Sequence, residues 1–120
     1  MTNLPLLDVI ASFGKPIIIS TGMSDESEIE QVVAFLTARN ADFALLHCNS
    51  TYPASYNTIN LRFMQTMMER FPVKIGYSGH EQGYAPTIAA VAMGAQIVER
   101  HITSDTTQSA PSTAAAASVV

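Results

Sequence analysis

Two of the chain's three histidines, His80 and His101, each follow a short apolar run in the stretch "IGYSGHEQGYAPTIAAVAMGAQIVERHITSD", Ile75 to Asp105. A helical pattern separates the two runs, so the histidines stand at the ends of neighbouring strands. Adjacent strand ends lie about 4.8 Å apart. Two imidazoles there can share one divalent ion through metal–nitrogen bonds of about 2.0–2.2 Å. With only two protein ligands, the rest of the coordination sphere is open to water or substrate, which suits a catalytic ion. The plainer alternative is that each ring only bonds a carbonyl at its strand end. Period-two alternation puts Glu99 on the same side as His101. Glu99 is then either a partner that orients an imidazole or half of a buried ion pair.

Hydroxyls recur at the same level. Ser20 closes "ISTG", Ser50 lies in "HCNSTYP" and Ser78 in "YSGHE". On neighbouring strands they could converge on one anion; equally, Ser and Thr are simply common where strands end and helices are capped. Tyr52, just before Pro53, is either a ligand-facing phenol or a staple of its loop. His47 lies inside an apolar run and reads as a structural histidine; Cys48 reads as a small buried hydrophobe. Gly22, Gly76 and Gly79 mark close backbone approaches, without any G-x-G-x-x-G pattern.

The elements that must position these residues alternate regularly. Apolar runs at Pro16–Ile19, Asp42–Cys48, Val73–Ser78 and Ala95–Ile102 predict four strands. Helical patterns lie between them. Ile29, Val32, Val33 and Leu36 fall on one helix face, opened by an Asp25/Glu28 capping box and closed near Arg39-Asn40. Leu61, Met64, Met68 and Phe71 form a second stripe, with Asn60 as N-cap and Pro72 as stop. Pro86 opens a third helix that ends at Gly94, and Leu4–Gly14 is a helix ahead of the first strand. Strand starts recur every 23–30 residues or so, the length of one βα unit, which forces parallel neighbours. The fold class is α/β: an open doubly wound sheet or part of a (β/α)8 barrel.

Composition bounds the rest. The 120 residues suffice for one domain, and 48% are hydrophobic. A net charge of −4 with 6 Lys and Arg argues against nucleic acid as a partner. One cysteine excludes an internal disulfide and fits a reducing, cytoplasmic setting. No apolar run approaches the roughly 18 residues of a membrane span, and "MTNLPLLDVIASFGK" lacks the basic start of a signal peptide. After Asp105 the stretch "TTQSAPSTAAAASVV" is small and uncharged, so residues 106–120 are expected to be a disordered tail beside a domain of residues 1–105.

Several motifs in order, "GKPIIISTGMS", "LLHCNSTYP", "NLRFM", "IGYSGHEQG" and "AVAMGAQIVERHIT", closely resemble the sialic acid synthase family over Asn3 to Asp105. The resemblance implies a partial (β/α)8 TIM barrel, strands five to eight with their helices. It implies a transferase of carbohydrate biosynthesis that condenses phosphoenolpyruvate with N-acetylmannosamine or its 6-phosphate. The divalent metal it implies is Mn2+ or Mg2+, held by His80 and His101. By motif, Ser20, Ser50 and Ser78 match positions lining the phosphoenolpyruvate site. Tyr52 matches a tyrosine beside the sugar and is the expected catalytic and substrate-binding phenol. In the full-length family a homodimer is implied. The lysine and glutamate that relatives carry ahead of "MTNLPLL", and the acidic loop that follows "HIT", have no counterpart here. The alternative expectation is therefore a truncated chain, inactive alone, that at most binds a divalent ion.

Overall fold

The computed structural model describes residues 1–103 and the backbone of 117–118. Helix α1 spans Leu4–Ser12, with the Asn3 side chain accepting from the Leu6 amide at 3.1 Å. It stops ahead of Gly14, whose φ of +62° is a left-handed turn that glycine adopts without cost. Helix α2 spans Glu26–Thr37 and opens with the expected capping box: Asp25 accepts from the Glu28 amide at 2.9 Å, and the Asp25 amide donates to the Glu28 carboxylate at 3.0 Å. It ends toward Asn40, at φ +53°.

Helix α3, Arg62–Arg70, departs from expectation at its start. The cap position is Leu61, and Asn60 has φ +51° with no capping side-chain bond. Asn60 instead supplies the left-handed turn that an asparagine tolerates. Its buried stripe is also shifted: Met64 and Met67 are fully buried, and Met68 is only partly so. Helix α4, Ala85–Ala92, has Pro86 in its first turn as anticipated.

The strands are β1 (Ile17–Ser20), β2 (Phe43–Cys48), β3 (Lys74–Gly79) and β4 (Val98–Arg100). They form one parallel sheet in the order β1-β2-β3-β4. β4 is shorter than the apolar run that predicts it. Its pairing with β3 ends at Gly79↔Arg100, where β3 itself ends, so His101 has no ladder partner. Ile102–Thr103 (β5) pairs instead with Ala117–Ser118 (β6). The expectation of a disordered 106–120 otherwise falls outside the described residues.

An order that never reverses, with right-handed crossovers, puts every helix on the same face of the sheet. That removes the doubly wound alternative. One face carries Ile17, Ile19, Phe43, Leu45, Ile75 and Tyr77, which form a single core with Leu7 of α1, Ile29, Val32 and Leu36 of α2, Met64 and Met67 of α3, and Ala90 of α4. The other face carries Ile18, 58% exposed, and the residues of the candidate site. Leu45 is fully buried at the centre of the core. Leu45→Ala is expected to lower unfolding free energy by about 2–5 kcal/mol, the transfer loss plus an unfilled cavity, measured by urea denaturation.

Candidate metal centre

Strand alternation brings the site together. In the β2–β3–β4 register Cys48 stands opposite Ser78 and Ser78 opposite Glu99. His80 and His101 follow one residue beyond the ends of β3 and β4, on the same rim. Their ring centroids are 5.1 Å apart. Ligand atoms of His80, Glu99 and His101 all lie within 4.8 Å of one another. Glu99 is neither of the things its alternation suggests. It is exposed, accepts from Ser78 Oγ at 2.7 Å, and stands as a third donor beside the two rings.

The donor set fits a divalent cation. His80 Nδ1 lies 2.7 Å from the Asn49 carbonyl, a contact in which the ring N–H donates. That fixes the tautomer and turns the lone pair of Nε2 outward, as an orienting carbonyl does for metal-bound imidazoles. Burial, and then the neighbouring His101, pull His80 below the ordinary imidazole range; the Asn49 carbonyl, Glu99 and Glu81 oppose this. A neutral ring is the form that binds a metal.

The other predicted residues fall as follows. Tyr52 stacks on His80 with centroids 3.9 Å apart and meets His101 edge-on. Its hydroxyl lies 2.6 Å from His80 Nε2 and 2.5 Å from His101 Nε2. Ser78 is buried beside Glu99. Ser50, two residues past β2, packs its hydroxyl against Gly22, where a Cβ would collide with it. Ser20 pairs with Leu46, two residues short of the row that joins Cys48 to Ser78, so it is staggered down the strands from Ser78. His47 is structural: it is buried on the helix side and its Nε2 lies 2.7 Å from the Ile59 carbonyl. Cys48 is half-buried, and burial pushes its thiol above the usual range.

Three positioning residues escape sequence reasoning. Glu81, fully buried, forms an ion pair with Arg100 at 2.5 Å. Tyr77 Oη and Thr87 Oγ1 donate to the same carboxylate at 2.8 and 2.7 Å, and Arg100 donates to the carbonyls of Glu81 and Gly83. Gly79 leaves room for this cluster: a Cβ there would come within 2.7 Å of Arg100 Nη1. The available signal was parity. Glu81 directly follows one histidine and Arg100 directly precedes the other, on the face opposite the rings. Asn49, the third, accepts from the Thr51 amide and hydroxyl and donates to Thr58, an Asx turn that "NST" could have announced.

The NeuB family model matches residues 1–119. The chain belongs to the NeuB family. It is 43% identical over 114 residues to the N,N'-diacetyllegionaminic acid synthase of Campylobacter jejuni, covering 92% of this chain and 34% of that protein. It is 43% identical over 106 residues to the human N-acetylneuraminate-9-phosphate synthase, covering 88% of this chain and 30% of that one. The crystal structure of the N-acetylneuraminic acid synthetase of Leptospira borgpetersenii, solved with citrate, superposes with a TM-score of 0.92 at 37% identity. That match covers 97% of this chain and 41% of that one. The NeuB chain thus spans about a third of the length of the curated relatives it matches. Its four strands and helices are a partial (β/α)8 barrel, a fold with which the one-sided sheet agrees.

Two outcomes follow from the site's surroundings. Glu81→Ala removes a fully buried carboxylate that pairs with the largely enclosed guanidinium of Arg100, 13% exposed. Loss of one partner of such a pair is expected to cost about 3–5 kcal/mol in urea unfolding. The second concerns pH. Burial holds both His47 and His80 below the ordinary imidazole value of 6.5. The unfolded chain therefore takes up protons first, and the stability carried by the neutral rings is complete above about pH 6.5 and is lost as pH falls through the folded-state values. Each ring contributes at most about 1.4 kcal/mol per pH unit. Urea midpoints should fall between pH 7.5 and 5, and His47→Gln should flatten that fall.

Proposed function

We propose that this NeuB chain carries the metal-binding rim of a nonulosonate synthase, an enzyme that condenses phosphoenolpyruvate with N-acetylmannosamine or its 6-phosphate in carbohydrate biosynthesis. The observation that carries the reading is the meeting of His80, His101 and Glu99 at one rim of the sheet, beside Tyr52 and Ser78. Two imidazoles among the donors favour a transition ion such as Mn2+ over Mg2+, which prefers oxygen. An ion held by His80 and His101 would act as a Lewis acid toward the aldehyde of the sugar.

The chain's own residues add further groups at this rim. Ser20, Ser50 and Ser78 are the hydroxyls on the phosphoenolpyruvate side, Ser20 staggered from Ser78 and the Ser78 proton engaged by Glu99 in the metal-free chain, and Tyr52 offers its phenol to the sugar. In the reaction, C3 of phosphoenolpyruvate attacks the aldehyde carbon, water adds at C2, and phosphate leaves. A cytoplasmic setting and a homodimeric parent enzyme belong to the same reading; the single cysteine supports the first. Among the described residues, no helix is long and apolar enough to cross a membrane.

A second reading is favoured by the placement of charge. Phosphoenolpyruvate carries close to three negative charges, and such anions are held by cationic forks and ammonium groups. Among the described residues, Arg100 is a cation adjacent to the site, and it is turned to the helix side, where it pairs with Glu81. Lys15 precedes β1 and Lys74 begins β3, both at the opposite rim. By this reading the chain alone holds a metal ion without turnover. The test supplies Mn2+, phosphoenolpyruvate and N-acetylmannosamine and follows phosphate. Mn2+ binding is expected, weakened more than about 100-fold by His80→Ala or His101→Ala, since a lost ligand should cost at least as much as a lost orienting partner. Phosphate release that depends on His80 supports the synthase acting through this chain. Binding without release supports the second reading, and no Mn2+ binding overturns both.

A further inference from the structure

The gap between the two metal-facing nitrogens is filled by a side chain. Tyr52 Oη lies 2.6 Å from His80 Nε2 and 2.5 Å from His101 Nε2. Donor accounting fits one arrangement. His80 donates through Nδ1 to the Asn49 carbonyl, so its Nε2 accepts the Tyr52 O–H. The phenol oxygen then accepts from His101 Nε2–H. From the Asn49 carbonyl through His80 and Tyr52 to His101 Nε2, each atom of the relay has a partner without an ion. The stack of the Tyr52 ring on His80 and its edge contact with His101 hold both imidazoles at the separation observed.

A cation bonded to both Nε2 atoms at about 2.0–2.2 Å must lie in this same gap. It cannot do so while the hydroxyl bonds both rings, and for His101 Nε2 to ligate, its proton must move to Nδ1, the other tautomer of the ring. We propose that the Tyr52 hydroxyl is a placeholder: it keeps His80 and His101 in ligating arrangement and leaves both nitrogens when a divalent cation enters. The proposal rests on the metal reading of His80 and His101 and deepens it, by giving Tyr52 a second, metal-free position. The loop that carries Tyr52 stays tied to the site on either side, through the Asn49 carbonyl and through the Ala54 amide, which donates to the His80 carbonyl at 2.9 Å. The displacement is therefore a side-chain rotation rather than a loop opening.

The test is a titration with Mn2+ alone, followed by electron paramagnetic resonance of the free ion and by ultraviolet difference absorbance of tyrosine, on the wild-type chain and on Tyr52→Phe. Removing two hydrogen bonds that compete with the ion should tighten Mn2+ binding about ten-fold. The wild type should show a tyrosine difference signal that tracks Mn2+ occupancy and is missing from Tyr52→Phe. Weaker binding by the variant would make the hydroxyl a ligand and overturn the proposal. So would equal affinities with no tyrosine signal, even though the metal site itself would stand. Failure of either protein to bind Mn2+ would instead remove the metal reading, and the placeholder with it. If Tyr52→Phe does not fold, the wild-type signal decides alone: its presence at bound Mn2+ supports displacement and its absence refutes it.

Discussion

The carboxylate of Glu81, with no exposed surface, and the guanidinium of Arg100 beside it tie together the two strand ends that carry the histidines. Each charge would be costly to bury alone. Buried together, and further bonded by Tyr77, Thr87 and two backbone carbonyls, they set where residues 80 and 101 leave the sheet. Burial and the Glu81 contact also push the Tyr77 phenol well above its usual range, so it remains a donor to that carboxylate. The histidine rings point to the other face. The pair therefore touches none of the prospective ligands directly, yet both depend on it for position.

The topology supports this arrangement at a larger scale. Parallel strands in sequential order, each preceded by a helix on the same face, leave the other face and the strand ends for chemistry. Apolar residues shared among four helices and the sheet form the core on one side. Ser78, Glu99 and the rings line the other. The loop from Asn49 to Ala54 crosses this rim, and the Asx turn at Asn49 gives it one defined course. Local turn chemistry, rather than the core, brings Tyr52 to the imidazoles.

Charge placement distinguishes what the rim can hold. Two imidazoles, one carboxylate and several hydroxyls suit a cation better than a highly charged anion. The cations of the described chain are largely used in structural pairing: Arg39 meets Asp8, Arg70 meets Glu26 and Glu30, and Arg100 meets Glu81. In NeuB relatives about three times as long, further segments are present, whereas the candidate donors His80, Glu99 and His101 come from two adjacent strand ends.

Much of this was legible in the sequence. Apolar runs of strand length, the Asp25/Glu28 box and Pro86 marked the elements, because they depend on neighbours a few residues away. The histidine pair was visible because each ring follows its own strand. The sequence could not place Asn60 in a left-handed turn, move the α3 stripe to Met67, or stop β4 before His101; those depend on what a distant segment presents. It also left Glu99 between two roles and did not reveal Glu81 and Arg100 as partners. Residues 19 positions apart become an ion pair only when two parallel strands are in register. Residue type and local spacing therefore determined which groups could bind a metal ion. Only the tertiary structure decided which of them share a space, because register, facing direction and burial are properties of the packed sheet and not of any single segment.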